Sequence, residues 1–392
     1  MPVLTGRHFP QYNHRQYFFT GVIMKRRKFL GAAGAGALLT GGLLSGCGQE
    51  SSQGSGQATK SQQTFKWKMV TTWQKNFPGL GTAANNLARL IGEMSGGRLK
   101  VTVYGANELV PPLEIFDAVA NGTAEMGHTS AYYWKGKIPT AQFFSTVPFG
   151  MTGQEMNAWL YYGGGMELWR EVYAPHGLVP VAAGNSGVQM GGWFNREINT
   201  VDDLQGLKMR IPGLGGEVLR RAGGTPVGMP GTEIFTSLQS GVIDATEWVG
   251  PWNDLAKALY KVAKYYYYPG WHEPGTTMEC MINQEALASL PDDLQSIIMT
   301  ACKAVNVDML AEFTARNNLA LQTLVNEHHV DVREFPRPVL DKLRVLSAEV
   351  VAELAGQDEL STRVYESYRQ FQQQVVAWHD ISERTYLNVR GG

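Results

Sequence analysis

The strongest constraint on the fold of this chain is a pattern that occurs twice. Residues 113–125 read LEIFDAVANGTAE and residues 232–244 read TEIFTSLQSGVID, so Glu114 and Glu233 are 119 residues apart (233 − 114 = 119). Both copies contain Glu-Ile-Phe, an apolar helical stretch, Asn-Gly or Ser-Gly at the predicted helix end, and an acidic residue that opens a short strand. A repeated supersecondary unit predicts a protein with two similar lobes.

The first residues of the folded region indicate an α/β fold. Phe65–Val70 alternates apolar and polar side chains, Ala83–Ser95 has apolar residues at helical spacing, and Leu99–Tyr104 is a second predicted strand. This order predicts parallel pairing, with helices covering the faces of the sheet. We therefore expect two mixed sheets flanked by helices, with a cleft between the lobes.

The repeat also aligns the strand ends of the two lobes. His128-Thr129 in the first copy corresponds to Glu247-Trp248 in the second (247 − 128 = 119). Ligands of open parallel sheets bind beyond the carboxyl ends of the strands, and clefts between lobes are favoured sites for small molecules. Both strand ends should face one cleft, so Thr129 and Trp248 are predicted to contact the ligand.

The N-terminal region has the pattern of an export signal. Residues 25–30 read KRRKFL, a basic segment with a twin-arginine pair, and residues 31–44 are apolar but rich in Gly and Ala. This stretch is too short and too rich in glycine to be a typical membrane-spanning helix. Small residues then lead to Cys47, as in a lipoprotein signal that is cleaved before a lipid-bearing cysteine. The open alternatives are a plain secretory signal and an N-terminal anchor helix.

The remaining boundaries follow from composition and pattern. Residues 1–47 form the signal segment; residues 1–23 precede Met24 and are absent from a product that starts there. Residues 48–64 are a Ser/Gln/Gly tether, typical of flexible linkers. The first lobe is expected at 65–188 plus about 276–335, and the second at 189–275. Helices at 336–392 are expected to pack across both lobes.

Composition excludes several classes of protein. The formal net charge is −1, and no basic stripe indicates a nucleic-acid partner. The serine-hydrolase and zinc-protease motifs G-x-S-x-G and HExxH are absent from the sequence, which argues against an enzyme. After Cys47 only Cys280 and Cys302 remain, and they either pair in an oxidising compartment or stay as two buried thiols.

Arg210 is the first candidate for binding chemistry. It ends the predicted strand LKMRI, on the face opposite Leu207 and Met209, and Pro212-Gly213 stops the strand just beyond it. A guanidinium group at a strand end presents a planar fork that matches a carboxylate. The alternative is a solvated surface arginine.

Glu247 implies a cation in the same cleft. A carboxylate beside an anion site repels the ligand unless a positive ion lies between them. Oxygen ligands suit Na⁺ or Ca²⁺, and the amide of Gln189 with the Trp248 carbonyl would complete the set. The alternative is a structural glutamate held by a backbone N–H. Tyr132 is either a wall of the pocket or a core aromatic residue. Glu273 lies where the chain returns toward the first lobe, and it either hydrogen-bonds a ligand or acts as a hinge contact.

These segments resemble the solute-binding subunit of tripartite ATP-independent periplasmic (TRAP) transporters, over residues 65–385. The matching motifs are MRIPG at 209–213, PVGMP at 226–230, EIF with LQSG at 233–241, and DATEW at 244–248. VGPW at 249–252 and YYYYPGWHEPG at 265–275 are similar to the branch that binds 2-oxo acids or lactate.

The resemblance implies a two-lobed periplasmic binding protein that closes over a small organic acid and delivers it to membrane subunits of a TRAP transporter. It implies that Arg210 pairs with the ligand carboxylate, and that Gln189, Glu247 and the Trp248 carbonyl bind a bridging Na⁺ or Ca²⁺. Tyr132 and Glu273 would touch the ligand from opposite lobes. It also implies a homodimer through the helix predicted at 360–384. The lipid anchor at Cys47 departs from most relatives, which carry a cleaved signal.

Three other functions stay open at this point. The ligand could be a C4-dicarboxylate or a sugar acid, as elsewhere in the family. The chain could be an exported enzyme that acts on a carboxylate, with Glu247 or Glu273 as general base. It could also be a lipid-anchored sensor whose closed form is read by a membrane partner.

Overall fold

The computed structural model describes residues 63–391. The predictions for residues 1–62, which include the signal segment, the lipid-attachment cysteine Cys47 and most of the tether, lie outside the described residues. The described residues form one compact unit.

The first lobe is built on a five-stranded mixed sheet. Its strands, numbered through the chain, are β1 (Phe65–Thr71), β2 (Leu99–Tyr104), β3 (Met126–Thr129), β4 (Leu178–Asn185) and β10 (Thr277–Asn283). Their order across the sheet is β2-β1-β3-β10-β4. Strand β1 pairs in parallel with β2 and β3, whereas β10 runs antiparallel to β3 and β4. The carboxyl ends of β1 and β3 therefore meet at one edge.

The second lobe is built on a six-stranded mixed sheet in the order β11-β9-β5-β8-β6-β7. Its strands are β5 (Gly192–Phe194), β6 (Lys208–Arg210), β7 (Thr225–Val227), β8 (Ala245–Thr246), β9 (Tyr265–Tyr268) and β11 (Asp331–Glu334). Strand β6 is parallel to both β7 and β8, and Arg210 pairs with Thr246 in register. This register places Glu247, the next residue after β8, beside Arg210. The predicted α/β fold with two mixed sheets is confirmed.

Helices cover both sheets. They are α1 (Leu80–Met94), α2 (Ile115–Ala120), α3 (Gln142–Ser145), α4 (Gly153–Tyr162), α5 (Gly165–Tyr173), α6 (Gly213–Arg221), α7 (Ile234–Gln239), α8 (Pro251–Ala256), α9 (Gln284–Ala288), α10 (Asp292–Asn326), α11 (Arg337–Ala355), α12 (Glu359–Ile381) and α13 (Glu383–Arg390). In α1 the apolar residues Leu87 and Ile91 are fully buried, as the helical spacing predicts.

The 35-residue helix α10 joins the two lobes. Pro291 precedes its first turn, a position where a missing backbone N–H costs no helical hydrogen bond. The helix packs against β4 and α1 of the first lobe and against α8 of the second. It buries Ile298, Val305 and Phe313 along its length. Its contacts with elements of both sheets link the two lobes.

The predicted repeat is present in the structure. Helix α2 and strand β3 recur as α7 and β8, with the helix starts 119 residues apart (234 − 115) and the strand starts also 119 apart (245 − 126). Gly122 and Gly241 follow the two helices with φ of 72° and 73°. A left-handed backbone at this point favours glycine, which explains why both copies contain it.

Strand β11 belongs to the second sheet, although the sequence predicts the whole of 276–335 in the first lobe. Asp331–Glu334 pairs in parallel with Tyr265–Tyr268 of β9. The reason is the length of α10, which spans about 50 Å at 1.5 Å per residue and moves the chain from one lobe to the other.

Two predicted helices are each divided in the structure. The sequence predicts one helix over Glu155–Ala174, but α4 and α5 are separated at Gly164, whose φ of 86° interrupts the helical hydrogen bonds. The predicted helix Leu360–Arg384 is likewise divided into α12 and α13 at Ser382. Helix α11 packs against α6 of the second lobe and α12 against α4 and α5 of the first.

Cys280 and Cys302 are both buried free thiols. Of the two alternatives for this pair, the structure therefore shows the reduced one. Within residues 63–391, no helix is both long enough and apolar enough to cross a membrane.

Candidate functional site

Arg210 is buried at the end of β6, with its side chain 2% exposed. The backbone N–H of Glu247 donates to the Arg210 carbonyl at 3.1 Å, which extends the β6–β8 ladder by one step. The guanidinium pairs with the Glu247 carboxylate through Nη1 and Oε1. Its Nε donates to the Met229 carbonyl and its Nη2 to the Tyr133 hydroxyl, each at 3.3 Å. The fork is thus held in one orientation from both lobes.

Glu247 is fully buried and only partly satisfied. Its Oε1 pairs with Arg210, but its Oε2 has no hydrogen-bond partner among the described residues. The nearest ring nitrogen, Nε2 of His272, is 3.6 Å from Oε2. Burial raises the pKa of Glu247 to about 7, and Arg210 opposes this shift. A buried carboxylate oxygen without a partner is costly unless a donor or a cation meets it.

Gln189 and Glu273 form a second part of the site. The Gln189 amide Nε2 donates to Glu273 Oε2 at 2.8 Å, and the Thr276 hydroxyl donates to the same oxygen at 2.6 Å. The carbonyl oxygen of Gln189, Oε1, is buried without a partner in the described part of the chain. Burial, with the nearby Glu247 charge, raises the pKa of Glu273 to about 7.

The donor set suits a hard cation. Donor atoms of Glu247, His272 and Glu273 all lie within 4.8 Å of one another. Glu247 Oε2 and Gln189 Oε1 are two buried oxygens that no described group satisfies, and Na⁺ and Ca²⁺ prefer oxygen ligands. Burial lowers the pKa of His272 to about 4, so its imidazole is neutral at pH 7 and adds no repelling charge. The residues present therefore fit the predicted cation.

A narrow cavity connects these groups to both lobes. It encloses only about 10 Å³ and is lined by Trp73, Leu80, Tyr132, Tyr133, Gln189, Arg210, Trp248, Val249 and Met278. Arg210 is the only positively charged residue among these nine. The space is smaller than a small organic acid, so the two lobes lie nearly closed over the site. A ligand must enter while the lobes are further apart.

The predicted site residues do not all meet. Arg210, Gln189, Trp248 and Tyr132 line the cavity. Glu247 and Glu273 adjoin it through their bonds to Arg210 and Gln189. Thr129 lies outside this cluster: it is fully buried, and its hydroxyl bonds to that of Thr72 at 3.3 Å. The alignment of the repeat therefore places Thr129 at the right strand end but not in the cavity.

Several lining residues were not selected from the sequence. Trp73 follows β1, so the same rule of carboxyl strand ends that selected Thr129 also applies to it. Leu80 and Met278 give no signal in the sequence, because apolar residues of a helix and a strand are most often core. Tyr133, by contrast, belongs to the same aromatic run as Tyr132 and shares its two alternatives, a pocket wall or a core residue; its hydroxyl accepts the bond from Arg210.

A larger groove of about 710 Å³ lies elsewhere, between α1, α8 and α10. Its charged side chains are exposed or half-buried and already have partners: Arg316 pairs with Glu312 at 2.7 Å, and Asp308 accepts from Asn86 at 3.1 Å. Since the buried charges and the unsatisfied oxygens lie in or beside the smaller cavity of these two, we assign the site to the smaller one.

Two lobes that enclose a buried arginine and a set of oxygens suited to a cation are typical of a solute-binding protein of the periplasmic type. The chain belongs to the DctP family, described as bacterial extracellular solute-binding protein, family 7, which matches residues 69–358. The predicted resemblance to TRAP solute-binding subunits is thereby confirmed. This is a family of solute-binding proteins rather than of enzymes.

Three relatives illustrate the similarity. A monocarboxylate 2-oxoacid-binding periplasmic protein of Nostoc sp. (strain PCC 7120) is 41% identical over 365 residues, which are 93% of this chain and 98% of the relative. A TRAP solute-binding protein of Pseudoalteromonas atlantica T6c, solved with sodium and pyruvate, is 46% identical with a TM-score of 0.81 over 83% of this chain and 99% of its own. One from Colwellia psychrerythraea, solved with calcium and pyruvate, is 45% identical with the same TM-score and coverage.

Proposed function

We propose that this protein captures a small 2-oxo or 2-hydroxy monocarboxylate, such as pyruvate or lactate, together with a bridging Na⁺ or Ca²⁺. It then delivers the acid to the membrane subunits of a TRAP transporter. The observation that supports this most directly is the buried Arg210 beside Glu247, whose second oxygen has no partner in the described part of the chain. Relatives at 45% and 46% identity hold pyruvate with calcium or sodium.

Arg210 is the group that recognises the ligand carboxylate. Its fork is fixed by the Met229 carbonyl and the Tyr133 hydroxyl, so little side-chain entropy is lost when an acid binds. Charge-assisted bonds to a carboxylate in a site of low dielectric constant are strong. Glu247 occupies part of the fork, and the incoming carboxylate must share or replace that contact.

A cation reconciles Glu247 with an anionic ligand. Two carboxylates in one buried cavity repel each other strongly without a positive charge between them. Glu247 Oε2, Gln189 Oε1 and the Trp248 carbonyl would hold the ion. Its chemistry is purely electrostatic: it supplies the positive charge that both carboxylates require. Na⁺ and Ca²⁺ both suit such a set of oxygens.

The cavity walls favour a short monocarboxylate. The cavity that Arg210 lines is also lined by apolar side chains of the first lobe, Leu80, Met278 and Trp73. A second carboxylate placed against them would be desolvated without a counter-charge, which is costly. An alkyl end such as the methyl group of pyruvate would instead bury apolar surface there. Tyr132 and the Gln189–Glu273 pair supply polar groups for the 2-oxo or 2-hydroxy oxygen.

Binding is coupled to movement of the lobes. The cavity of about 10 Å³ admits the acid only when the lobes separate, and they then close over it. The ligand contacts residues of both lobes and therefore stabilises the closed form, which shifts the population toward that form.

Isothermal titration calorimetry tests the proposal. The protein is titrated with pyruvate, lactate, succinate and galacturonate in sodium buffer, in calcium buffer, and in a sodium-free buffer with chelator. We expect binding of pyruvate or lactate in the first two buffers and a large loss of affinity in the third. Tighter binding of succinate or galacturonate would replace the monocarboxylate by a dicarboxylate or a sugar acid. Equal affinity in all three buffers would exclude the bridging cation.

The same proposal extends to location. The family is extracellular, and the relative from Nostoc is periplasmic. We propose that this protein works in the periplasm, held to the membrane by a lipid on Cys47 after export. The Cys47→Ser substitution should move the protein from the detergent phase to the aqueous phase in a phase-partition assay. A wild-type protein already in the aqueous phase would contradict the anchor.

We also propose a homodimer through the C-terminal helices. Trp378 is 61% exposed and Ile381 74% in α12, and Tyr386 is 62% exposed in α13. Exposed apolar side chains clustered on one segment are typical of a protein interface. Light scattering should report a dimer that Trp378→Arg dissociates; a wild-type monomer at micromolar concentration would contradict it.

A further inference from the structure

Two cations contact the indole of Trp248. The Arg210 guanidinium carbon lies 5.6 Å from the ring centre, and the Lys257 ammonium lies 4.1 Å from it. Both distances are within the range of cation–π attraction. The indole also packs directly on Gly231, where an added Cβ would be 2.3 Å from the ring. The indole of Trp248 is therefore in contact with Arg210, Lys257 and Gly231.

Lys257 connects Trp248 to the opposite lobe. Its ammonium lies 5.1 Å from the ring centre of Phe77, which belongs to the first-lobe loop between β1 and α1. The rings of Phe77 and Trp248 also meet edge to face at 6.1 Å. One further bond, from Lys257 Nζ to the Gly231 carbonyl at 2.7 Å, fixes the lysine in the second lobe. The lysine is thus anchored in one lobe and contacts a ring of the other.

A neighbouring contact joins the same two segments. Asn253, four residues before Lys257, donates from Nδ2 to the carbonyl of Pro78 at 2.9 Å. Pro78 follows Phe77 directly, and Asn253 is fully buried. Residues 77–78 of the first lobe therefore meet residues 253–257 of the second through two independent interactions. Both contacts must break when the lobes separate.

The position of Lys257 is electrostatically costly. Burial, together with the nearby Arg210 charge, lowers the pKa of Lys257 to about 8. The rings of Trp248 and Phe77 and the Gly231 carbonyl offset this cost in the closed arrangement. Only the part supplied by Phe77, which belongs to the first lobe, is lost when the lobes separate.

We infer that Lys257 is a positioning residue that couples the ligand arginine to closure of the lobes. Arg210, Trp248, Lys257 and Phe77 form one continuous series of contacts from the ligand site to the opposite lobe. A ligand that fixes Arg210 and Trp248 also fixes the surface on which Lys257 holds Phe77. The closed form then persists, and the acid leaves slowly. This inference rests on the proposed binding of a carboxylate at Arg210.

Dissociation rates test the inference in the intact protein. Lys257→Met keeps the length of the side chain but removes the charge. Lys261→Met is the matched control, because the Lys261 ammonium lies 5.8 Å from the ring of Tyr260 in the same lobe and is exposed. Stopped-flow measurement with pyruvate and calcium should show dissociation about tenfold faster for Lys257→Met, with association changed by less than about twofold. Lys261→Met should match the wild type.

A double variant separates coupling from local stability. If Lys257 acts through Phe77, Lys257→Met combined with Phe77→Leu should dissociate no faster than the faster of the two single variants. The inference would be overturned if the effects of the two substitutions on the dissociation rate multiply in the double variant. Equal dissociation rates for Lys257→Met and Lys261→Met would also overturn it.

Hydrogen exchange gives a readout that needs no ligand. In the ligand-free protein, the peptide covering residues 72–80 should exchange faster in Lys257→Met than in the wild type or in Lys261→Met. Unchanged exchange in this peptide would also overturn the inference. If the wild-type protein binds none of the acids, the proposed function fails, and this comparison still decides whether Lys257 holds the lobes together.

Discussion

The two copies of the repeat place different chemistry at the same position. His128 in the first lobe and Glu247 in the second are 119 residues apart (247 − 128), and both are completely buried. The imidazole of His128 accepts from Trp73 Nε1 at 2.9 Å and meets the Ala183 carbonyl at 3.0 Å. Burial lowers its pKa to about 4, so the ring is neutral, donating through Nε2 and accepting through Nδ1. Glu247, by contrast, is charged when paired with Arg210 and has one oxygen without a described partner.

The difference separates a structural position from a binding position. A buried polar group with all its bonds made stabilises the fold and has nothing left to offer a ligand. A buried group with an unsatisfied atom is costly and becomes stable when a ligand or ion completes it. The first lobe therefore supplies the walls of the cavity, through Trp73, Tyr132 and Tyr133, while the second lobe supplies the charges.

The largest effect is expected at Arg210. Arg210→Ala removes the carboxylate partner and leaves Glu247 as an uncompensated buried charge, so affinity for pyruvate should fall about a thousandfold. Calorimetry in calcium buffer measures it, and circular dichroism checks that the variant is folded. Retention of wild-type affinity would remove Arg210 from the binding site.

Glu247→Gln tests the other side of the pair. Glutamine keeps the shape and the contact with Arg210 but removes the charge that holds the cation. Affinity should fall about a hundredfold, and the remaining binding should no longer depend on sodium or calcium. A variant that still responds to chelator would show that the cation is held by other residues.

A buried carboxyl of the first lobe gives a contrast in pH dependence. Glu279 of β10 accepts from Trp134 Nε1 at 2.5 Å, and burial raises its pKa to about 7. Its folded-state pKa is above the unfolded value of about 4.5, so its contribution to stability is present below pH 4.5 and is lost as the pH rises through 7. Glu279→Gln mimics the protonated form. Its free energy of unfolding should exceed that of the wild type by about 3 kcal/mol at pH 8 and equal it at pH 4.

Urea denaturation of both proteins at the two pH values, in chelator, measures this difference. A constant difference between wild type and variant would show that Glu279 does not titrate in this range. Because Glu279 has no role in the proposed site, pyruvate affinity should stay unchanged, unlike that of Glu247→Gln.

The smallest effect is expected at His128. His128→Asn cannot serve both Trp73 and the Ala183 carbonyl, so one of these buried groups loses its partner. The free energy of unfolding should fall by about 1 kcal/mol, while affinity for pyruvate changes by less than about threefold. A loss of affinity as large as that of Glu247→Gln would contradict the division between structural and binding lobes.

Local patterns in the sequence predicted much of this site. Arg210 follows from a predicted strand end, Glu247 from the strand end just beyond the repeated unit, and the need for a cation from charge alone. The break between α4 and α5 at Gly164 was not predicted, although the triple glycine at 163–165 is a local signal for it. These features depend on residues close together in the chain, where backbone geometry and spacing determine the result.

The parts that the sequence did not predict depend on packing between distant segments. Strand β11 joins the second sheet because α10 carries the chain across the molecule, and no local pattern shows which sheet a strand joins. Leu80 and Met278 line the cavity only because their segments meet at the cleft. In the sequence Lys257 is an ordinary lysine at the end of a helix. Its contact with Phe77 of the other lobe depends on the tertiary structure.

A crystal structure with pyruvate and calcium tests the central claim most directly. The account predicts the ligand carboxylate on Arg210, with an anomalous calcium peak that bridges the ligand to Glu247, Gln189 and the Trp248 carbonyl. Lys257 should still contact both Trp248 and Phe77 in that closed complex. A pyruvate bound away from Arg210, or a cleft in which Glu247 meets no cation, would contradict it.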